Sequence, residues 1–418
     1  MKFFRIFLTC WLLLLVVTGL RGQTAALFNG QVNEIVQRTR FMIGPFRFYP
    51  YFKFSSFSWV SSVFGITNTL RNLSDIVITP SPELTASLVF KRFLILSFTE
   101  NPEYHFYLSN AQYRGFTNSY QAEGRMLFLN RFIMTARYEH STQRSLGYLE
   151  IDRVIQSSVR QGAAQIYTRS ARGTSLSLSA SWQKLSYSDV GFSEGQISPI
   201  LDRSEFSAGA EFAYRIFSAS QFFVRGEYYE YDFLRQTDYR RNPKAFDAVV
   251  GLRFPSGGII GGSFSLGYKK FLPEISSVSG FSGLVGNANI QYRAENLGLL
   301  DLAFQRNISF SLFSGYLYFL DTTASARLTF RTTKFLFVRL GGSYSWLDYP
   351  RVISISNGSL GEPAVVHDHI AGGNVGFIVR FSQTFGLGLT YQKWFRDSPL
   401  IGGDFNGSLL TVDLVRQF

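Results

Sequence analysis

The chain has 418 residues, enough for one large core or two moderate ones, yet only 17% are charged, against about 25% in typical soluble domains. Aromatics also reach 17%, led by 43 Phe and 22 Tyr, while the mean hydropathy of +0.04 argues against a stack of apolar transmembrane helices. The net charge of +12 would suit a nucleic-acid partner, but no basic stripe or recognition helix accompanies it, so nucleic acid is not expected.

The N-terminus reads as a secretory signal peptide over residues 1–22. Lys2 and Arg5 form a basic start, an apolar stretch runs from about Phe7 to Val17, and Thr18, Gly19 and Gly22 follow. The apolar stretch is short for a membrane anchor, which needs about 20 residues. Cys10, the only cysteine, lies inside it. The mature chain is therefore expected to have no disulfide, no thiolate metal site and no cysteine nucleophile. Removing Lys2, Arg5 and Arg21 leaves a balance of +9.

Residues 23–44 show little periodicity and read as a short periplasmic N-terminal segment. From Pro45 to Phe418 the pattern is period two, in runs of about 10–16 residues. At Thr174–Gln183, Leu176, Leu178, Ala180 and Trp182 alternate with Ser175, Ser177, Ser179, Ser181 and Gln183. At Glu205–Arg215, Phe206, Ala208, Ala210, Phe212 and Tyr214 alternate with Ser207, Gly209, Glu211, Ala213 and Arg215. Similar runs recur at 247–254, 284–293, 323–331 and 385–392. Each is long enough to cross a bilayer as a tilted strand of about 9–11 residues. About eighteen such runs, from 46–60 to 407–418, predict an all-β fold: a single transmembrane antiparallel β-barrel of about 18 strands (16–18) over 45–418. Closure follows because an open sheet edge in hydrocarbon leaves backbone groups unpaired.

Connections alternate in size, as periplasmic turns and extracellular loops do. Short ones fall near Lys91, Asn130, Ala171, Ser218, Asn296, Thr332 and Gln383. Longer ones fall near 61–74, 144–154, 188–203, 236–242, 272–281, 348–366 and 397–406. Gly257, Gly258, Gly261 and Gly262 suggest a tight turn and barrel curvature. The last run, LLTVDLVRQF, ends on Phe418 and resembles the terminal strand signal read by the barrel assembly machinery of the bacterial outer membrane.

Three stretches are similar to those of the putative beta-barrel porin 2 family: GPFRFYPYFKFSSFSWVSSVF (Gly44–Phe64), GLRFPSGGIIGGSFSLGYKKF (Gly251–Phe271) and FLDTTASARLTFRTTKFLFVRLGGSYS (Phe319–Ser345). The resemblance covers about 45–418. It implies an outer-membrane barrel of a kind often linked with exopolysaccharide synthesis and export, and it carries no catalytic motif.

Alternation places Glu211, Arg215, Asp247, Arg253, Asn287, Asn289, Gln291, Arg293, Arg327, Arg331, Arg339 and Arg380 on the inward faces. They form either a net-basic lumen for an anionic or sugar-rich solute, or a set of pairs filling a plugged interior. Tyr228, Tyr316, Tyr318, Tyr344, Trp346 and Trp394 near strand ends are candidates for the interfacial aromatic girdle. Phe222, Tyr229, Tyr231 and Phe233 cluster with Tyr228 and offer either more girdle or a stacking path for sugar rings. His367, Asp368 and His369 form the one histidine cluster, without an evident third metal ligand; His105 and His140 stand alone. No cofactor, metal site or enzyme motif is expected.

The function expected is a pore or conduit for solutes or polysaccharide in the outer membrane of a bacterium. The alternatives are a structural or adhesive barrel with a blocked lumen and, further off, a barrel lipid hydrolase. Expected partners are outer-membrane lipid and lipopolysaccharide, the barrel assembly machinery and polysaccharide export components.

Overall fold

The structure, a computed structural model, describes residues 24–416 except 61–74, 92, 149, 190–200, 218, 235–241, 256, 275–278, 295–297, 312–315, 351–354, 357–358, 361–365, 383–384 and 399–404. The expected signal peptide, Cys10 and Phe418 lie outside the described residues.

Period-two alternation of apolar and polar residues becomes eighteen antiparallel strands. The first six are β1 (Phe46–Val60), β2 (Asp75–Phe90), β3 (Leu94–Tyr107), β4 (Gly115–Phe128), β5 (Phe132–Tyr148) and β6 (Ile151–Arg169). The next six are β7 (Ser175–Asp189), β8 (Arg203–Arg215), β9 (Gln221–Phe233), β10 (Lys244–Phe254), β11 (Ile260–Leu272) and β12 (Phe281–Ala294). The last six are β13 (Gly298–Phe310), β14 (Tyr318–Arg331), β15 (Leu336–Tyr349), β16 (Val366–Arg380), β17 (Phe385–Asp397) and β18 (Phe405–Arg416). Each pairs with its neighbours in sequence, and β18 returns to β1 from Phe57↔Val412 to Val60↔Leu409. The sheet thereby closes into one barrel, and its backbone groups bond within the wall.

The wall has two faces. Leu84, Leu96, Phe98, Leu178, Phe212, Leu266 and Leu389 stand exposed on the outer one, as a lipid-facing surface requires. The inner face carries hydroxyl ladders that span neighbouring strands: Thr85–Thr99 and Ser87–Ser97 at 3.0 Å, Ser181–Ser207 at 2.9 Å and Thr323–Ser345 at 2.7 Å.

Short turns close one end. Leu129 (φ 52°) and Asn130 (φ 55°) form a two-residue turn, and Arg131 N donates to Phe128 O at 3.1 Å. Positive φ at both central residues matches the right-handed twist of the strands it joins. At the other end the expected loop 144–154 is instead a hairpin. β5 and β6 stay paired from Arg144↔Gln156 to Leu146↔Val154 and on to Tyr148↔Ile151, with Glu150 at the tip among the described residues. The polar, Gly-containing sequence there suggested a loop, but a ribbon projecting beyond the lipid has no need of alternating apolar residues.

Residues 24–38 form a helix, α1 (Thr24–Arg38). Ala25, Phe28, Val32 and Ile35 recur at three- and four-residue spacing and make one apolar stripe. Phe28 is fully buried against Ile95, Leu127 and Ile133, all inner-face residues. Thr24 Oγ1 donates to Arg169 O at 3.2 Å and accepts from Arg169 N at 3.0 Å. The helix therefore lies inside the barrel at the short-turn end, against the wall around β3–β6.

Candidate functional site: the barrel interior

Strand register sets which side chains meet inside. Glu211, Arg225 and Arg253 stand on the inner faces of β8, β9 and β10, with Glu211↔Arg225 directly opposite. Arg253 reaches over β9 to Glu211 with two parallel bonds of 2.6 Å, its guanidinium 4.2 Å from the Phe223 ring centre. Asp247 faces Lys269 across β10–β11 at 3.9 Å, both buried. Further pairs run along single strands on the same face: Arg125 with Glu123, Arg137 with Glu139, and Arg203 with Glu205 at 2.6 Å. Much of the inner charge is thus neutralised pairwise along the wall.

The short-turn end of β8–β16 differs. Arg215, Arg253, Arg293, Arg327, Arg331, Arg339 and Arg380 all sit on inner faces in the last few residues before the short turns, or the first few after them. Arg331 donates to the turn carbonyls Thr333 O at 3.0 Å and Lys334 O at 3.3 Å, and Arg380 lies 4.8 Å over the Phe337 ring. Asp301 stands opposite Arg327 in register. Among the described residues, Arg215, Arg293, Arg327, Arg331 and Arg339 make no ion pair within 4.0 Å. Asn287, Asn289 and Gln291 continue the inner face of β12 above Arg293. The result is an arc of arginines on one wall, with α1 on the opposite one.

The long-loop end is filled differently. Glu150, at the tip of the β5–β6 hairpin, is fully buried among Ser311, Tyr349, Asp368 and Arg396. Its Oε1 accepts from Ser311 Oγ at 2.6 Å and from Tyr349 Oη at 2.9 Å, while its main-chain carbonyl accepts from Arg396. Arg396 also pairs with Asp368, which accepts from Ser398 Oγ at 2.6 Å. β6 and β15 are nine strands apart in an eighteen-strand wall, so this hairpin crosses the mouth. Beside it, Leu201, Phe233, Phe271, Phe310 and Tyr318 form an apolar cluster.

The aromatic candidates separate. Tyr228, Tyr344 and Trp346 are on the outer face, with Tyr344 and Trp346 in edge contact at 4.6 Å. Tyr318 is buried instead, 4.9 Å from Phe271, its hydroxyl donating to Ser279 O at 3.0 Å. Tyr316 packs edge-on against Tyr349 at 5.1 Å. Trp394 has the inward register, opposite Gly372 and Gly407, because its position in β17 is out of phase with Tyr391 and Leu389. Tyr229, Tyr231 and Phe233 point inward, and Phe222 and Tyr228 outward.

Exposed Leu129, Phe217, Phe335 and Phe381 in the short turns were not singled out from the sequence. Their signal was present as a large apolar residue inside otherwise polar turns. His367 pairs with Asp348 at 2.7 Å and His369 lies 5.9 Å from the Tyr344 ring, both on the outer face, whereas Asp368 between them points inward. Among the described residues no group of three or more His, Cys, Asp or Glu is placed to hold a metal ion.

Solved structures to which the chain is similar include the outer membrane protein OpdK of Pseudomonas aeruginosa, with 10% identity over 88% of this chain and 98% of that one and a TM-score of 0.49. OccK3 (OpdO) of the same organism is 10% identical over 93% and 99%, with a TM-score of 0.48. The alcaligin outer membrane receptor FauA of Bordetella pertussis is 10% identical with a TM-score of 0.44; 86% of this chain matches only 64% of its length. No curated protein matches the chain. The apolar outer face, closed wall and alternating turns are those of a barrel in the bacterial outer membrane. With residues 42–418 matching its pattern, the chain belongs to the putative beta-barrel porin 2 family.

Proposed function

We propose that the barrel conducts anionic or sugar-rich solutes across the outer membrane, with exopolysaccharide as the cargo suggested by the family resemblance. The observation that carries this reading is the arginine arc on β8–β16, facing α1 across the interior. Guanidinium groups without acidic partners attract carboxylates and phosphates and can hold them bidentately. Transport then needs no chemical step; the wall supplies charge, and the solute diffuses. Export of the chain through the signal peptide at 1–22, insertion by the barrel assembly machinery, and docking of polysaccharide export components belong to this same reading.

The test is reconstitution in planar bilayers under a salt gradient. Channels whose reversal potential reports anion preference support the proposal; cation preference would refute it. A second reading, a structural or adhesive barrel with a blocked lumen, is favoured by the Glu150 cluster across the mouth. It predicts silence at every voltage.

A further inference from the structure

The outer face carries a polar row that the pore reading does not use. Tyr120, His140, Arg160, Lys184 and Ser204 stand in direct register across β4–β8, each opposite the next. His140, Arg160 and Lys184 are adjacent on three neighbouring strands. The acids in the same row lie outside this trio, Glu100 beyond Tyr120 and Asp232 beyond Ser204. Asn118 Nδ2 donates to Glu100 at 3.3 Å. Among the described residues neither Arg160 nor Lys184 makes an ion pair. His140 Nδ1 is buried without a hydrogen-bond partner.

The height of the row follows from the strands. On β7 the outer face reads Leu176, Leu178, Ala180, then Trp182, then Lys184. From the Leu129 turn to His140 the strand climbs roughly 28 Å at a tilt near 40°, close to the roughly 25 Å of a barrel's apolar band. An apolar stretch capped by a Trp and then a cation marks the water boundary, here on the long-loop side. Trp182 is anchored there, its Nε1 donating to Ser204 Oγ at 2.7 Å.

Directly below lies a shallow apolar groove of about 590 Å³ whose lining includes Leu96, Phe98, Gly124, Ala136 and Tyr138. Small side chains make it: a Cβ on Gly124 would stand 3.2 Å from Leu96 Cδ2. Two cations, Arg160 and Lys184, flanked by His140 at the outer-leaflet headgroup level above an acyl-sized groove, match an amphiphile with a phosphate at its head.

We propose that Arg160 and Lys184, with His140 beside them, bind a phosphate of an outer-leaflet phosphorylated glycolipid, one of whose acyl chains lies in the groove around Gly124. The outer leaflet on the long-loop side selects a glycolipid over a glycerophospholipid. Arginine would hold the phosphate bidentately and lysine as a point charge.

The experiment is native mass spectrometry of the full-length folded barrel with added diphosphoryl lipid A or phosphatidylglycerol. Wild type should retain lipid A at least tenfold more than the Arg160→Gln/Lys184→Gln variant, and more than it retains phosphatidylglycerol. The charge-preserving Arg160→Lys/Lys184→Arg variant should stay within about threefold of wild type, since most of the attraction is electrostatic. Heat-modifiable gel migration verifies folding of each variant. Equal retention of lipid A by wild type and the glutamine variant would overturn the site; equal retention of both lipids by wild type would overturn the glycolipid assignment. Should the glutamine pair fail to fold, Lys184→Gln alone and Gly124→Leu, which fills the groove, must each lower lipid A retention, and no loss in either overturns the proposal.

Discussion

The Tyr349 hydroxyl donates a 2.9 Å hydrogen bond to Glu150 Oε1, joining two residues 199 positions apart in sequence and on opposite sides of the barrel mouth. The bond ties the β5–β6 hairpin to the far wall, and Ser311 and Arg396 reinforce it on the same residue. All of these groups are buried, so the closed arrangement is stabilised by contacts that water does not screen.

Replacing Glu150 with Ala removes the acceptor for both Ser311 and Tyr349. Each hydrogen bond to a charged group is worth about 1.5–3 kcal/mol, so the hairpin equilibrium should shift toward open by tenfold or more. In planar bilayers, Glu150→Ala should give larger or longer openings than wild type. Tyr349→Phe, which removes one of the two bonds, should fall between them. Unchanged currents in both variants would mean that the hairpin does not gate the mouth.

Reversing the arginine arc should reverse ion preference. Arg327→Glu with Arg331→Glu reverses two charges, a net change of four units, where, among the described residues, neither arginine has an acidic ion-pair partner. Because Arg331 also binds the carbonyls of Thr333 and Lys334, Arg327→Glu with Arg339→Glu separates charge from turn stability. The reversal potential should move toward cation preference in both pairs. The shift should be largest near 0.1 M salt, where charge acts over about 10 Å, and small at 1 M, where it acts over about 3 Å. No movement in either pair would place the conducting path away from this wall.

The helix inside the barrel should depend on one side chain. Phe28 is its only fully buried large residue, held by Ile95, Leu127 and Ile133. Phe28→Ala should cost about 3–5 kcal/mol of docking. Trypsin should then cut at Arg38 and Arg40 faster than in wild type, while the barrel keeps its heat-modifiable band. Equal protection would mean that the Thr24–Arg169 pair of hydrogen bonds holds the helix unaided.

The sequence made the wall legible because period two is a local property. Glu211 and Arg253 share a face by counting alone, and the count of about eighteen runs matches the closed barrel. What lies inside it was not legible, because it depends on contacts between distant segments. Nothing near Glu150 in sequence announces Tyr349, Asp368 or Arg396. The helix had a signal in Ala25, Phe28, Val32 and Ile35, but over fifteen residues interrupted by Asn29, Gln31, Asn33 and Glu34 it read as aperiodic. Trp394 shows the sensitivity of parity: counted from Tyr391 it faces inward, whereas its place near a strand end suggested the girdle.

The glycine run at the β10–β11 turn offers a test with its own control. Gly262 has φ +106°, and a Cβ there would stand 1.9 Å from Asn289 O on the paired strand β12. Gly257, five residues earlier, has no atom within 4 Å of such a Cβ and no positive φ. Gly262→Ala must therefore either strain its backbone, at a cost of about 1–3 kcal/mol, or push β12 away and lose ladder bonds as well. Gly257→Ala should be neutral to within about 0.5 kcal/mol. Urea unfolding of the folded barrel in lipid vesicles measures both. Lowered stability in the first variant alone is the expected result, and equal stability would mean that the wall at this corner adapts its backbone without loss.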